Sequence, residues 1–100
     1  MIFGNRIREL REEKGLLLRQ LASLLEVDTA TISKIERGTR RAKKEQLQVF
    51  SSVLDINQKE LETLWLADKL YEIVEDENDL GLSALKVAEN EFKYQTKIKG

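Results

Sequence analysis

Neither cysteine nor histidine occurs in the 100-residue chain. The first absence excludes disulfides and thiolate metal sites, and the second removes the commonest general base together with the commonest zinc ligand. Catalysis therefore starts at a disadvantage, and no cofactor or metal is expected. Proline is missing too, so the five scattered glycines, Gly4, Gly15, Gly38, Gly81 and Gly100, supply the punctuation. No stretch approaches the roughly 18 apolar residues of a membrane span, and the opening MIFGNRIREL lacks the apolar core of a secretory signal. The expectation is a cytoplasmic protein with no membrane partner. A hydrophobic content of 41% suits one soluble domain with a modest core.

The net charge of −1 conceals a division along the chain. Residues 1–44 hold 11 Lys+Arg against 6 Asp+Glu, whereas residues 45–100 hold 6 against 12. A basic first half joined to an acidic second half suggests that the first meets a polyanion while the second does something else. Solvated charge on both halves explains the same numbers, so position has to decide.

Apolar spacing of three and four residues recurs throughout, and no alternating strand pattern occurs, which makes the expected fold all-α. A first helix spans about residues 4–14, with Ile7, Leu10 and Arg11 in register and Lys14-Gly15 closing it. A second, about 18–25, turns Leu21, Ala22 and Leu25 inward, and Glu26-Val27-Asp28 forms a three-residue turn. In TATISKIERG, residues 29–38, Ile32 and Ile35 share one stripe, while Ala30, Ser33, Lys34 and Arg37 gather opposite with Thr29 at the edge. Asp28 is placed to cap that helix, and Gly38 to end it in the left-handed conformation. A fourth helix, about 44–54, carries Leu47, Phe50, Val53 and Leu54, and Asn57 caps a fifth that starts at Gln58. The fifth has apolar residues on more than one stripe. The surplus asks for cover from the last amphipathic segment, with Leu82, Leu85, Ala88 and Phe92, or from a second copy of the chain. The run EDEND at 75–79 reads as a solvated break between helices.

Two short helices joined by a tight turn, the second with a small and polar outer stripe, form the layout of a helix-turn-helix. A major groove admits one α-helix, and short side chains such as Thr29 and Ala30 let its backbone approach the base edges. Lys34, Arg37, Arg40, Arg41, Lys43 and Lys44 follow in close succession, as phosphates beside a groove would require. Glu36 borders the packed stripe, where a lone carboxylate is costly, so it needs a cationic partner.

From Phe3 to Leu54 the chain resembles the lambda-repressor and Cro-like (XRE) helix-turn-helix family. The resemblance is carried by RIRELREEKGL, the LA of the second helix, Val27 in the turn, ISKIERG and the basic loop. It implies a five-helix domain with one additional C-terminal helix. Residues 1–56 would form the DNA-binding core, and 57–100 the helices for dimerisation and core closure. It also implies base contacts from Thr29, Ala30, Ser33 and Lys34, and phosphate contacts from Arg37, Arg41 and Lys44, with the rest of RRAKK, Arg40 and Lys43, beside them. The implied partner of Glu36 is Arg11, a structural pair. Two departures stand out. Leu17 and Leu18 occupy the positions of the family's polar cap and phosphate-binding glutamine, so either Arg19 and Gln20 supply that contact instead or Leu18 packs on a neighbouring group. Ala42 occupies the common loop proline, so the fourth helix should start a little earlier.

The function expected is a sequence-specific regulator, repressor or autoregulator, that binds a palindromic operator on double-stranded DNA as a homodimer. Its interface would draw on Trp65, Leu66, Leu70, Tyr71 and Val74, with Leu61 and Leu64 closing the monomer's core. The build looks most like a restriction-modification controller. The alternative is an antitoxin-type protein whose acidic half binds a protein partner. An enzyme is not expected, because Ser33-Lys34, Glu12-Glu13 and Asp76-Glu77 are neighbours that diverge around a helix.

Overall fold

The first helix begins where a distant carboxylate holds it. The computed structural model describes residues 1–99, and in it both oxygens of Asp68 accept from the start of the chain, Oδ1 from the Ile2 amide and Oδ2 from the Phe3 amide, each at 2.9 Å. Helix α1 therefore runs Ile2–Glu13, starting earlier than local spacing suggests. It is followed by α2 Leu18–Leu25, α3 Thr29–Arg37, α4 Gln46–Leu54, α5 Gln58–Val74 and α6 Asp79–Lys99. All regular elements among the described residues are α-helices, the lambda-repressor-like arrangement with an added C-terminal helix. The described residues divide into two compact units, the first Met1–Asp68 and the second beginning at Lys69.

Helix α4 starts later than expected, not earlier. Ala42 in the place of a loop proline does not lengthen the helix, because residues 44–45 form a turn ahead of it. The buried Ala42 side chain joins the core, its carbonyl accepts from the Trp65 indole Nε1 at 2.7 Å, and Gln46 Oε1 accepts from the Lys43 amide at 2.8 Å. Gln46 and Leu47 amides donate to the Lys43 and Lys44 carbonyls, a turn that delivers the chain into α4. At the next junction the Asn57 carboxamide caps α5 by accepting from the Glu60 amide at 3.1 Å.

The core of the first unit is built from one stripe of each helix. Phe3, Ile7 and Leu10 of α1 meet Leu21 and Leu25 of α2, Ile32 and Ile35 of α3, and Leu47, Phe50 and Leu54 of α4, and Leu61 of α5 closes it. Phe3 and Phe50 pack edge to face at 5.9 Å. Helices α1 and α3 touch through backbone. A Cβ added at Gly4 would lie 2.6 Å from the Glu36 carbonyl oxygen and nearer still to that of Ile35, so only glycine fits. In the second unit the same need recurs at Gly81, where an added Cβ would fall 2.9 Å from the Val74 carbonyl oxygen.

Beside Gly4, the Arg11 guanidinium grips Glu36 with two bonds, Nε to Oε2 at 2.7 Å and Nη2 to Oε1 at 3.1 Å. Its Nη1 donates to the Leu16 carbonyl at 2.8 Å, so one side chain ties α1, the α1–α2 turn and α3. Glu36 is only 7% exposed, and the bond to it holds the Arg11 guanidinium above its ordinary pKa against the opposing effect of burial. Removing one partner strands the other's buried charge. Arg11→Ala and Glu36→Ala should each lower the unfolding free energy by about 3–5 kcal/mol, and the paired change to Met and Leu by much less. Urea titration checks this, and losses near zero for the single variants would contradict it.

Both ends of α3 are fixed. Asp28 Oδ1 accepts from the Thr31 amide at 2.8 Å and from the Thr31 hydroxyl at 2.6 Å, and Gly38 ends the helix at φ +77°. The Thr31 bonds hold the Asp28 carboxyl below its ordinary value of 3.8. A carboxyl whose folded pKa is depressed stabilises the fold above its unfolded value and loses that contribution as pH falls through the folded one. The stability gap between the wild-type protein and Asp28→Ala should therefore close as pH drops below about 3.8, measured by urea unfolding at successive pH values. A gap independent of acid would contradict it.

Candidate nucleic-acid interface

Helix α3 presents the outer stripe that its sequence requires. With Ile32 and Ile35 buried, Thr29, Ala30, Lys34 and Arg37 are exposed and Ser33 is half-buried. Thr31 is half-buried, and its hydroxyl donates to Asp28. The N-terminal end of the stripe is therefore short-chained, while Lys34 and Arg37 carry positive charge on its later turns.

The cations of the loop after α3 have a firm base. Arg40, Arg41, Lys43 and Lys44 are exposed on both sides of the buried Ala42, whose carbonyl is pinned by Trp65. A loop anchored at its midpoint holds those four charges in a limited region, which lowers the entropy lost when they meet an anion. On α2, Arg19 and Gln20 are both exposed. Gln20 is partly committed, because its Oε1 accepts from the Leu17 amide at 2.8 Å, leaving its NH2 for an outside acceptor. Leu17 has no side-chain oxygen to return that bond, and its carbonyl accepts from the Gln20 amide at 3.0 Å instead.

Two side chains that the sequence reading passed over stand next to this surface. Asn5 and Arg8 of α1, with Leu18, Ser33, Glu36 and Arg37, line a concavity of about 360 Å³. The signal was available in part, since Arg8 falls on the exposed flank of α1. Neither its distance from α3 nor the gap between them could be read from helical spacing.

Of the residues expected at a dimer contact, Leu66, Leu70 and Tyr71 are exposed. Trp65 is half-buried against the first unit's core, with its indole N–H on Ala42. Val74 is half-buried and lies against Gly81. In the second unit Leu70, Leu85, Ala88 and Phe92 border an apolar groove of about 440 Å³. Leu82 and Phe92 are exposed, so α6 leaves much of the apolar surplus uncovered within the chain.

Comparison with known proteins places this geometry. The family described as "Helix-turn-helix domain" matches residues 2–64. A Methanothermobacter thermautotrophicus protein (strain Delta H) named "Putative HTH-type transcriptional regulatory protein" is 42% identical over 55 residues. The match takes in 55% of this chain and 18% of that protein, so the chain spans less than a fifth of its length. The solved restriction-modification controller protein C.AhdI from Aeromonas hydrophila is 39% identical, with a TM-score of 0.54 over 59% of this chain and 86% of that one. A chain of the SinR protein/SinI protein complex is 32% identical, with a TM-score of 0.53 over 99% of this chain and 98% of that one. With the family match covering most of the first unit and both solved relatives sharing its helices, the chain belongs to the helix-turn-helix family of transcriptional regulators, of the lambda-repressor and Cro-like (XRE) type.

Proposed function

We propose that the protein is a sequence-specific double-stranded-DNA-binding regulator, a repressor or autoregulator, that acts as a homodimer on a palindromic operator. The observation that carries this reading is the exposed outer stripe of α3 standing beside a cationic loop pinned at Ala42. Thr29, Ala30, Ser33 and Lys34 read base edges in the major groove, and Arg37, Arg40, Arg41, Lys43 and Lys44 hold the phosphates. Arg19 and the NH2 of Gln20 extend those contacts to α2. A bound dimer represses by occupying a promoter. No helix among the described residues is long and apolar enough to cross a membrane. The reading puts the protein with DNA in the cytoplasm, using no cofactor and performing no catalysis.

The case for two copies is geometric. One module offers little interface for discrimination, while a two-fold pair spaces two recognition helices about 34 Å apart, one turn of duplex. Exposed Leu66, Leu70 and Tyr71, together with the groove bordered by Phe92, supply apolar surface for that pairing. A different protein on the same surface is the second reading, favoured by the fact that a relative matched over 99% of this chain comes from a complex of two proteins. Neither solved relative named above is described as an antitoxin, so that alternative is not favoured. The likeness to a controller protein makes a gene beside a restriction-modification system the first place to seek an operator.

Selection of bound sequences from a random duplex pool tests the reading, and an enriched inverted repeat is the expected result. On that site Lys34→Ala should cost about 1–3 kcal/mol more than on random DNA. Arg41→Ala should weaken both equally and reduce the salt dependence by about one unit of slope per protomer. Identical profiles for the two variants would remove the division of roles. In sedimentation equilibrium the wild-type protein should be dimeric and Tyr71→Asp shifted toward monomer; a wild-type monomer at every concentration would eliminate the pairing.

A further inference from the structure

Helix α6 carries an apolar stripe that its own chain leaves bare. Leu80, Ala84, Val87, Glu91, Tyr94 and Ile98 follow at alternating spacings of four and three, which sets them within about 40° of one line down the helix. All six are exposed, Leu80 at 70%, Val87 at 68%, Ile98 at 60% and Tyr94 at 58%. The line is turned by about 120° from Leu85, Ala88 and Phe92, which border the groove with Leu70. Helix α6 therefore has two apolar faces, and the groove accounts for only one. Glu91 is the one charge on the stripe, and its Oε1 accepts from Gln95 Nε2 of the same helix at 3.1 Å, which offsets part of its cost in a contact.

The pattern specifies what covers it. Spacing of four and three is the period of a helix that packs knob-into-hole on another helix, so the matching surface is a helix of the same period. Laid antiparallel on a copy of itself, about a two-fold axis level with Glu89, the stripe sets Leu80 against Ile98, Val87 against Glu91 and small Ala84 against large Tyr94. A parallel pair would set Ala84 on Ala84, Tyr94 on Tyr94 and Glu91 on Glu91, a gap, a crowded layer and two like charges. The ends of the helix give the same sense. Helix α6 opens on Asp79, just after Glu75, Asp76 and Glu77, and closes on Lys97 and Lys99. Antiparallel pairing brings each acidic end beside a basic one and opposes the two macrodipoles, whereas parallel pairing stacks like on like. We infer that α6 pairs antiparallel with α6 of a second copy along this stripe, a contact separate from the Leu66, Leu70 and Tyr71 surface proposed above and independent of DNA. A short seam containing Ala84 and Glu91 is weak, so it joins dimers to one another as concentration rises.

Because the chain has no cysteine, single cysteines report the register without background. Leu80→Cys and Ile98→Cys proteins are mixed in equal amounts at high concentration and oxidised mildly. The mixed disulfide should dominate over either homodisulfide, and a dominant homodisulfide of Leu80→Cys would overturn the antiparallel pairing. Sedimentation equilibrium over rising concentration gives the second reading, with circular dichroism as the check on folding. Wild-type mass should double beyond the dimer. Val87→Glu sets a carboxylate against Glu91 of the second copy and should weaken that doubling at least about tenfold, whereas Val87→Lys sets an ammonium there and should keep it. Equal losses in both variants would mean that Val87 meets itself, which contradicts the register. A wild-type mass that stops at the dimer, or doubles equally in Val87→Glu, would overturn the inference and leave the α5 pairing intact; the same result follows if a different protein or a lipid surface covers the stripe. A wild-type protein that doubles once only, from monomer, and loses that step in Val87→Glu but not in Tyr71→Asp would support the α6 contact and overturn the α5 one.

Discussion

The bidentate bond between Arg11 and Glu36 decides where α3 stands. Packing alone fixes the depth of a short amphipathic helix loosely, because Ile32 and Ile35 offer a narrow apolar stripe. A charged pair that is nearly sealed from water tolerates little displacement, since any gap leaves two desolvated ions apart. By also holding the Leu16 carbonyl, Arg11 fixes the turn into α2 from the same point. The two helices of the motif are thus referenced to one guanidinium on a third.

A second constraint operates on the loop that follows α3. Four cations over a short span repel one another, and an unanchored loop would spread them. The Trp65 indole bond and the burial of Ala42 hold the middle of that loop against the core. The tryptophan is therefore turned toward its own chain, and its place in the protein is as much the posture of the loop as any contact between copies.

Features decided within a few residues were legible in the sequence. Asp28, Gly38 and the Ile32–Ile35 stripe define α3 from inside one decapeptide, and both ends and the exposed face follow from them. Features decided across the chain were not. The cap on α1 comes from Asp68, 66 residues beyond Ile2, and no local pattern announces it. The start of α4 depends on Gln46 reaching back to Lys43 and on Trp65 holding Ala42, so the loss of a proline says nothing about it. One clue existed, because a half-buried indole N–H needs an acceptor, and the surplus of apolar residues on α5 drew notice away from it. Arg8 and Asn5 were passed over for a similar reason. Helical spacing sorts the residues of α1 into inner and outer, but only the approach of α3 turns part of the outer side into a wall.

The contact at Gly4 has one more consequence. Since α1 and α3 meet main chain against main chain, their separation owes nothing to the identities of Thr29, Ala30 or Lys34. The scaffold and the reading surface are separable parts. If those three side chains read DNA as proposed, exchanging them would change which duplex is preferred while the helix keeps its seat, making this framework a host for interchangeable specificities.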